Sequence, residues 1–488
     1  MPALSPTLIR DNPWWADRAA IRQDADLRRL ATADIRFEHS IPFALDVDAV
    51  YTLRGPRQVG KSTLLKRIVA QLLERQHVSP RCILYTDVEG ASLTTVPKLR
   101  NALTGYVAWA RGVTSRDRLY LLLDEITGLR DWGTVIRALY REGRLDNATV
   151  IATGSHALDL ARGGETAPGR RGERAVSQLD WVMMPLSFRD FVIAHAPTLG
   201  AALPTLDIFD PHAAYQAAEA IVLRSDEVRP LFDRYLLTGG YPHAMSDEQA
   251  HGRVAEGIYL LYQHAITGQM RRAGHRDAPF REIVAWVANG HLGREFSWNT
   301  VSGETEVGTK DTARMYIEDA ERLFLWHVLY RAHSAERPTP ALRSPKKLYP
   351  VDPFAWHVLA SWAAGEADPW AASLARLATP AIRGELVESV AADHFVRRFG
   401  RLAFYHRSEA QHEIDLVLHR ARTRARIEVK YRQRVAPRDA RQLVQSGGGI
   451  LASVDEFRFD QTGNVAVIPL FALLAGYGES ITLYPARP

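Results

Sequence analysis

Short apolar runs punctuate the first part of the chain. AVYTL (49–53), RCILYTDV (81–88), RLYLLL (118–123) and ATVIATG (148–154) alternate with stretches of helical spacing such as STLLKRIVAQLLERQ (62–76). Strand-length apolar runs between helices predict a parallel α/β sheet buried on both faces. From about 205 to 330 the strand-like runs stop and the pattern turns helical. Residues 331–353 carry Pro338, Pro340, Pro345, Pro350 and Pro353. Proline at that density removes backbone donors and excludes a regular helix, so a domain boundary is expected there. Beyond it RGELVESVAADHFVRRFG (383–400) reads as a helix. LAFYH, EIDLVLH, ARIEVKY and NVAVIPL read as apolar runs of a small α/β domain. The expected division is a helical lead-in over 1–48, an α/β core over 49–204, a helical lid over 205–330, a Pro-rich linker over 331–353 and the α/β domain over 354–488. There is no fixed-period repeat and no low-complexity tract.

Composition narrows the class. Hydrophobic residues are 46% and charged residues 24% of 488, enough apolar surface to offset the ordering entropy of a globular fold. The single cysteine, Cys82, excludes an intrachain disulfide or a Cys-based zinc cluster. No apolar run reaches the ~18 residues of a membrane span, and MPALSPTLIRDNPWW lacks the order of a signal peptide. A cytoplasmic protein is expected. The net charge of +5 is mild, but Arg397 to Arg441 holds thirteen Arg/Lys against five Asp/Glu. That is either a solvated basic surface or a phosphate-facing patch.

The sharpest motif is GPRQVGKST, Gly55 to Thr63, placed between an apolar run and an amphipathic helix. It matches G-x-x-x-x-G-K-[ST] in the setting that a phosphate loop needs. Gly55, Pro56, Arg57, Gln58, Val59 and Gly60 would curl amides around the phosphates of ATP, aided by the helix N-terminus. Lys61 would reach the β- and γ-phosphates, Ser62 would ligate Mg²⁺, and Thr63 completes the motif. Asp124 ends the run RLYLLL, so a buried strand delivers a carboxylate for Mg²⁺ beside the loop. Glu125 would polarise the attacking water. Thr153 and Ser155 end the next run. They either sense the γ-phosphate or make a strand-to-helix turn with Ser155 as N-cap. PGRRGERAV offers Arg170, Arg171 and Arg174. Arg170 as an arginine finger in trans would require a homo-oligomer; otherwise the segment is a basic loop.

Residues 297–331 have a helix–turn–helix cadence. Ala313, Ile317, Ala320 and Phe324 share one apolar face, and Gly308 sits at the turn. Thr309, Lys310, Thr312 and Arg314 open the second helix, where a recognition helix meets DNA. The alternative is a hairpin that only packs the lid, and Asp311 weakens the basic character. In the last domain, Glu388 projects from a helix, Asp415 from one strand, and Glu428 and Lys430 from the next. D-x₁₂-E-x-K across neighbouring strands is the restriction-endonuclease pattern. Glu388, Asp415 and Glu428 would gather Mg²⁺ or Mn²⁺, and Lys430 would stabilise developing charge. Alternating charge on an exposed face would look the same. The hairpin Arg420–Arg426, with Arg422 and Arg424, would grip a nucleic-acid backbone.

GPRQVGKST, LLLDEI, ATGS, Gly169–Arg170, PLSFRDF (185–191) and YLLTGGYPHAM (235–245) occur in that order. The set resembles prokaryotic AAA-type ATPases whose C-terminal domain of unknown function has a restriction-endonuclease-like core. The resemblance covers about residues 40 to 475. It implies ATP–Mg²⁺ binding at Gly60, Lys61, Ser62 and Asp124, and water activation by Glu125. It further implies a YLL-x-GG-Y-P segment that closes the ATPase module, and a winged-helix-like segment followed by Lys347–Pro353. The implied activity is ATP hydrolysis coupled to DNA binding or cleavage. The alternatives are a nucleotide-gated switch or a branched-DNA translocase whose nuclease-like core only binds.

Overall fold

A computed structural model describes residues 4–114, 117–129, 131–155, 178–333, 339–407, 413–478 and 481–486. The chain divides into two compact units, Met1–Met184 with Leu483–Pro488, and Pro185–Thr482. The break therefore falls earlier than residue 204, the expected end of the ATPase core. Among the described residues no helix is long and apolar enough to cross a membrane.

The first unit is built on β1 (Ala49–Arg54), β2 (Ile83–Asp87), β3 (Leu119–Asp124), β4 (Ala148–Gly154) and β5 (Asp180–Met183), with β14 (Leu483–Pro485) at one edge. The order is β14-β5-β1-β4-β3-β2. β1 to β5 run parallel and β14 is antiparallel to β5. Side chains from Leu119 to Asp124 are buried on both faces, which is why these strands read as unbroken apolar runs rather than alternating ones. The helices Val96–Arg111 and Trp132–Arg141 join this core through Leu99, Leu103, Trp132 and Ile136, and the helix Lys61–Glu74 buries Leu64, Leu65, Ile68 and Leu72. The lead-in forms short helices, Pro6–Asp11, Arg18–Gln23 and Ala25–Thr32, and lies along the open edge of β2.

The second unit is mostly helical up to Arg322 and then turns mixed. The Pro-rich stretch expected to be a linker lies inside this unit. It carries β7 (Lys346–Pro350), antiparallel to β6 (Trp326–Tyr330). Proline excludes a helix, as expected, yet Pro350 ends β7 where a missing amide does little harm. β6 lies in the region read as wholly helical. The preceding helix, Lys310–Arg322, stops because Phe324 adopts φ 60, so Phe324 leaves the apolar stripe that Ala313, Ile317 and Ala320 keep. A six-stranded sheet follows, in the order β12-β13-β11-β10-β9-β8. Its members are β8 (Ala403–Arg407), β9 (Glu413–Arg420), β10 (Thr423–Val429), β11 (Gly449–Ser453), β12 (Arg458–Asp460) and β13 (Val465–Pro469). β8, β9 and β10 are antiparallel, whereas β10, β11 and β13 are parallel. The helix Pro380–Phe399 packs across β7 and β9.

The segment YLLTGGYPHAM, expected to close the ATPase module, belongs to this second unit. Asp352 accepts from the amides of Gly240 (2.8 Å), Phe354 (2.7 Å) and Ala355 (3.2 Å), and so caps the helix Pro353–Ala364 while holding the glycine turn. A Cβ on Gly240 would lie 2.2 Å from the backbone nitrogen and oxygen of Leu186. Gly240→Ala should therefore destabilise the second unit by about 3 kcal/mol through backbone overpacking, read as a lowered thermal midpoint by circular dichroism. An unchanged midpoint would mean that the turn yields at no cost.

Candidate functional site

The phosphate loop leaves β1 at Arg54 and enters the helix Lys61–Glu74. Gln58 (φ 66) and Gly60 (φ 102) lie in the left-handed region, which turns successive loop amides toward one side. Gly55 is fixed by a neighbour: a Cβ there would sit 1.8 Å from the Met183 carbonyl oxygen on β5. Pro56 and Val59 are buried, Ser62 and Thr63 half-buried at the helix start. Arg57 is drawn to Glu89 (3.2 Å). The Lys61 side chain is buried, and its ammonium donates to the Gly55 and Pro56 carbonyls (2.9 and 2.7 Å). Burial lowers its pKa, and Glu125 and Asp124 oppose that shift.

Asp124, at the end of β3, is buried and its two oxygens are held from different strands. Oδ2 accepts from the Tyr85 hydroxyl on β2 (2.8 Å). Oδ1 accepts from the Thr153 hydroxyl on β4 and from the Glu125 amide (3.1 Å). Glu125 is in the left-handed region (φ 46), and its Oε2 is 3.5 Å from the Ser155 hydroxyl. The sheet order puts β4 between the loop-bearing β1 and the carboxylate-bearing β3. Thr153 thus stands beside both, inside a strand. The expected site residues Lys61, Asp124, Glu125 and Ser155 gather at the carboxyl ends of adjacent parallel strands, where α/β sheets bind ligands. Amides, an ammonium, the Ser62 hydroxyl and a carboxylate form a donor set that fits ATP with Mg²⁺. Arg170, Arg171 and Arg174 lie outside the described residues.

Sequence reading missed Tyr85. Its only signal was its place two residues before Asp87 on the neighbouring strand, where Asp87 is in register with Asp124. Burial raises the Asp87 carboxyl, reinforced by Asp124 and Glu89.

In the second unit Glu388, Asp415, Glu428 and Lys430 do converge. Asp415 faces Glu428 across β9 and β10: its amide donates to Glu428 Oε2 (3.2 Å), and Asp415 Oδ2 accepts from the Val429 amide (2.9 Å). Lys430, one residue past β10, pairs with Glu428 and lies 4.0 Å from Asp415. A residue absent from the expected set sits at the centre. Lys347, from β7, pairs with Glu413 and lies 3.3 Å from Glu388 and 3.4 Å from Asp415. Tyr349 donates to Glu388 (2.7 Å). Burial, then the Asp415 charge, pushes the Glu388 carboxyl up to about 7, and the same causes raise Glu428. Burial would raise Asp415 too, but Lys347 and Lys430 outweigh it and hold Asp415 low. Among the described residues no group of three or more His, Cys, Asp or Glu is placed to hold a metal ion. The ammonium among these carboxylates does not fit a divalent cation in the same place.

The expected DNA contacts sit on separate elements. Lys310 is exposed at a helix start, but Arg314 is held by Glu318 (2.6 Å) one turn on. Arg422 is exposed in the β9–β10 turn and Arg424 half-buried on β10, while Arg420 stacks over Phe209 (4.3 Å).

Residues 47–192 match the model of an AAA domain. Residues 229–365 match one domain of unknown function, DUF8612, and 383–470 another, DUF4143. The chain is similar to the uncharacterized protein MJ1637 of Methanocaldococcus jannaschii, 24% identical over 64% of this chain and 63% of the relative. It is also 24% identical to an uncharacterized protein of Haemophilus influenzae, over 58% of this chain and 62% of that one. The match thus spans less than two thirds of either relative. Among solved structures, the Walker-type ATPase of Pyrococcus abyssi aligns at 15% identity and TM-score 0.38, over 64% of this chain and 90% of its own. RuvB of Thermotoga maritima aligns at 14% identity and TM-score 0.23, over 66% and 89%.

Removing Lys347 should leave the carboxylates uncompensated. A carboxyl whose folded pKa lies above its unfolded one takes up a proton on folding between the two values. For Glu388 that window runs from about 4.5 to about 7, and acidification through it favours the folded state. Lys347→Met should therefore cost about 3–5 kcal/mol at pH 8 and recover a large part by pH 5.5, measured by urea unfolding. The match of residues 47–192 to an AAA domain model, together with the phosphate loop and the Asp124–Glu125 pair on the parallel sheet, makes this part of the chain an ATPase-like P-loop domain.

Proposed function

We propose that the chain binds ATP with Mg²⁺ and hydrolyses it, and that turnover gates a grip on DNA by the second unit. The observation that carries the ATPase reading is the placing of the Lys61 loop, Thr153 and the Asp124–Glu125 pair at the ends of the adjacent parallel strands β1, β4 and β3. Lys61 would exchange its two carbonyl partners for phosphate oxygens. Ser62 and Asp124 would hold Mg²⁺, which supplies charge neutralisation at the phosphates. Glu125 would orient the water, with Ser155 steadying its carboxylate. Arg170 of a second copy would complete the charge stabilisation in a homo-oligomer.

The DNA part rests on exposed Lys310, Arg422, Arg432, Arg434, Arg438 and Arg441, and on two helices followed by the β6–β7 pair in a winged-helix-like sequence of elements. The Lys347-filled cluster favours a core that binds without cutting, the switch reading over the nuclease.

Lys61→Ala should lower ATP turnover by about 100-fold or more, and Glu125→Gln should do the same while nucleotide binding persists. Wild-type turnover that survives Lys61→Ala would remove the assignment. Purified wild type should retain labelled DNA in a gel shift yet leave it uncut with Mg²⁺ or Mn²⁺. Nicking that disappears in Asp415→Ala would restore the nuclease reading.

A further inference from the structure

The lead-in segment is tied to the nucleotide site by a continuous set of contacts. Asn12 is buried, and its carboxamide clamps one residue of β2 from the open edge. Nδ2 donates to the Tyr85 carbonyl and Oδ1 accepts from the Tyr85 amide, both at 2.7 Å. The same Nδ2 donates to the Leu8 carbonyl (2.8 Å), so the clamp is fixed from behind. The indoles of Trp14 and Trp15 both donate to the Ile83 carbonyl, at 3.2 and 2.9 Å. These side chains occupy edge groups of β2 as a further strand would.

The ring end of Tyr85 is held as well. Lys66 lies over it at 5.8 Å and is itself fixed by Asp24 (3.0 Å) and Asp26 (2.7 Å) of the lead-in. Lys66 belongs to the helix that begins at Lys61, and Arg22 reaches that helix through Glu74 (2.6 Å). The Tyr85 hydroxyl donates to Asp124 Oδ2 at 2.8 Å.

We infer that Tyr85 is a positioning residue for Asp124, and that the segment from Asn12 to Asp26 fixes Tyr85 and the phosphate-loop helix relative to each other. The inference rests on the ATPase reading. A carboxylate meant to hold Mg²⁺ must present one defined rotamer, and outer hydrogen bonds set that orientation. Thr153 and the Glu125 amide take Oδ1, and Tyr85 takes the other oxygen. Without the Tyr85 hydroxyl only Oδ1 stays held and the second oxygen loses its donor, so the cost should appear in Mg²⁺ dependence rather than in nucleotide contact.

The test compares wild type, Tyr85→Phe and Asn12→Ala in the whole 488-residue chain. Two quantities are read: the Mg²⁺ concentration for half-maximal ATP turnover, and the affinity for a fluorescent ATP analogue in EDTA. Thermal midpoints are measured alongside. Tyr85→Phe, which keeps the ring, should raise the Mg²⁺ half-point about tenfold and leave the EDTA affinity within about twofold. Asn12→Ala should shift the same half-point in the same direction. A Tyr85→Phe half-point equal to wild type overturns the inference and leaves the ATPase reading standing. An Asn12→Ala protein that only melts earlier, with an unchanged half-point, overturns the role of the lead-in. Wild type that neither binds nor turns over ATP overturns the ATPase reading and this inference together.

Discussion

One buried carboxylate organises the first unit. Asp124 takes hydrogen bonds from Tyr85 on β2 and Thr153 on β4, and lies on β3 between them. That geometry exists only because the strands are parallel and in this order, so that their carboxyl ends share one rim. A charge removed from water needs such partners. The loop of Gly55 to Gly60 contributes amides to the same rim, and Met183 on β5 presses close enough to require glycine at its start. The unit's apolar strands serve to hold this small polar patch.

The second unit solves a different electrostatic problem. Glu388, Glu413, Asp415 and Glu428 come together from a helix and two strands, and Lys347 and Lys430 supply the compensating charge. Removing either lysine would leave buried charge unpaired, the costly case. Asp415 stays ionised under two ammonium groups while Glu388 and Glu428 are pushed toward protonation.

The phosphate loop and Asp124–Glu125 were legible because their chemistry is local, a motif of nine residues and a dipeptide at a strand end. The D-x₁₂-E-x-K spacing likewise brought Asp415, Glu428 and Lys430 together, since two adjacent strands of known period fix their faces. Tyr85 and Asn12 were not legible. They act 39 and 73 residues away in sequence, and only strand order brings them to their partners. Lys347 was hidden by the proline count around it, which argued for a linker and masked a short strand. Arg314 carried a readable warning, because Glu318 lies one helical turn on.

The pairing of Leu483–Pro485 with β5 has a consequence for biogenesis. The antiparallel partner of Asp180–Met183 lies some three hundred residues further along the chain and is translated much later. A nascent chain must meanwhile keep that strand edge from pairing with another copy. Distant pairing of this kind slows folding and lengthens exposure to aggregation. Chaperone demand during synthesis should therefore exceed what the local character of the remaining sheet would suggest.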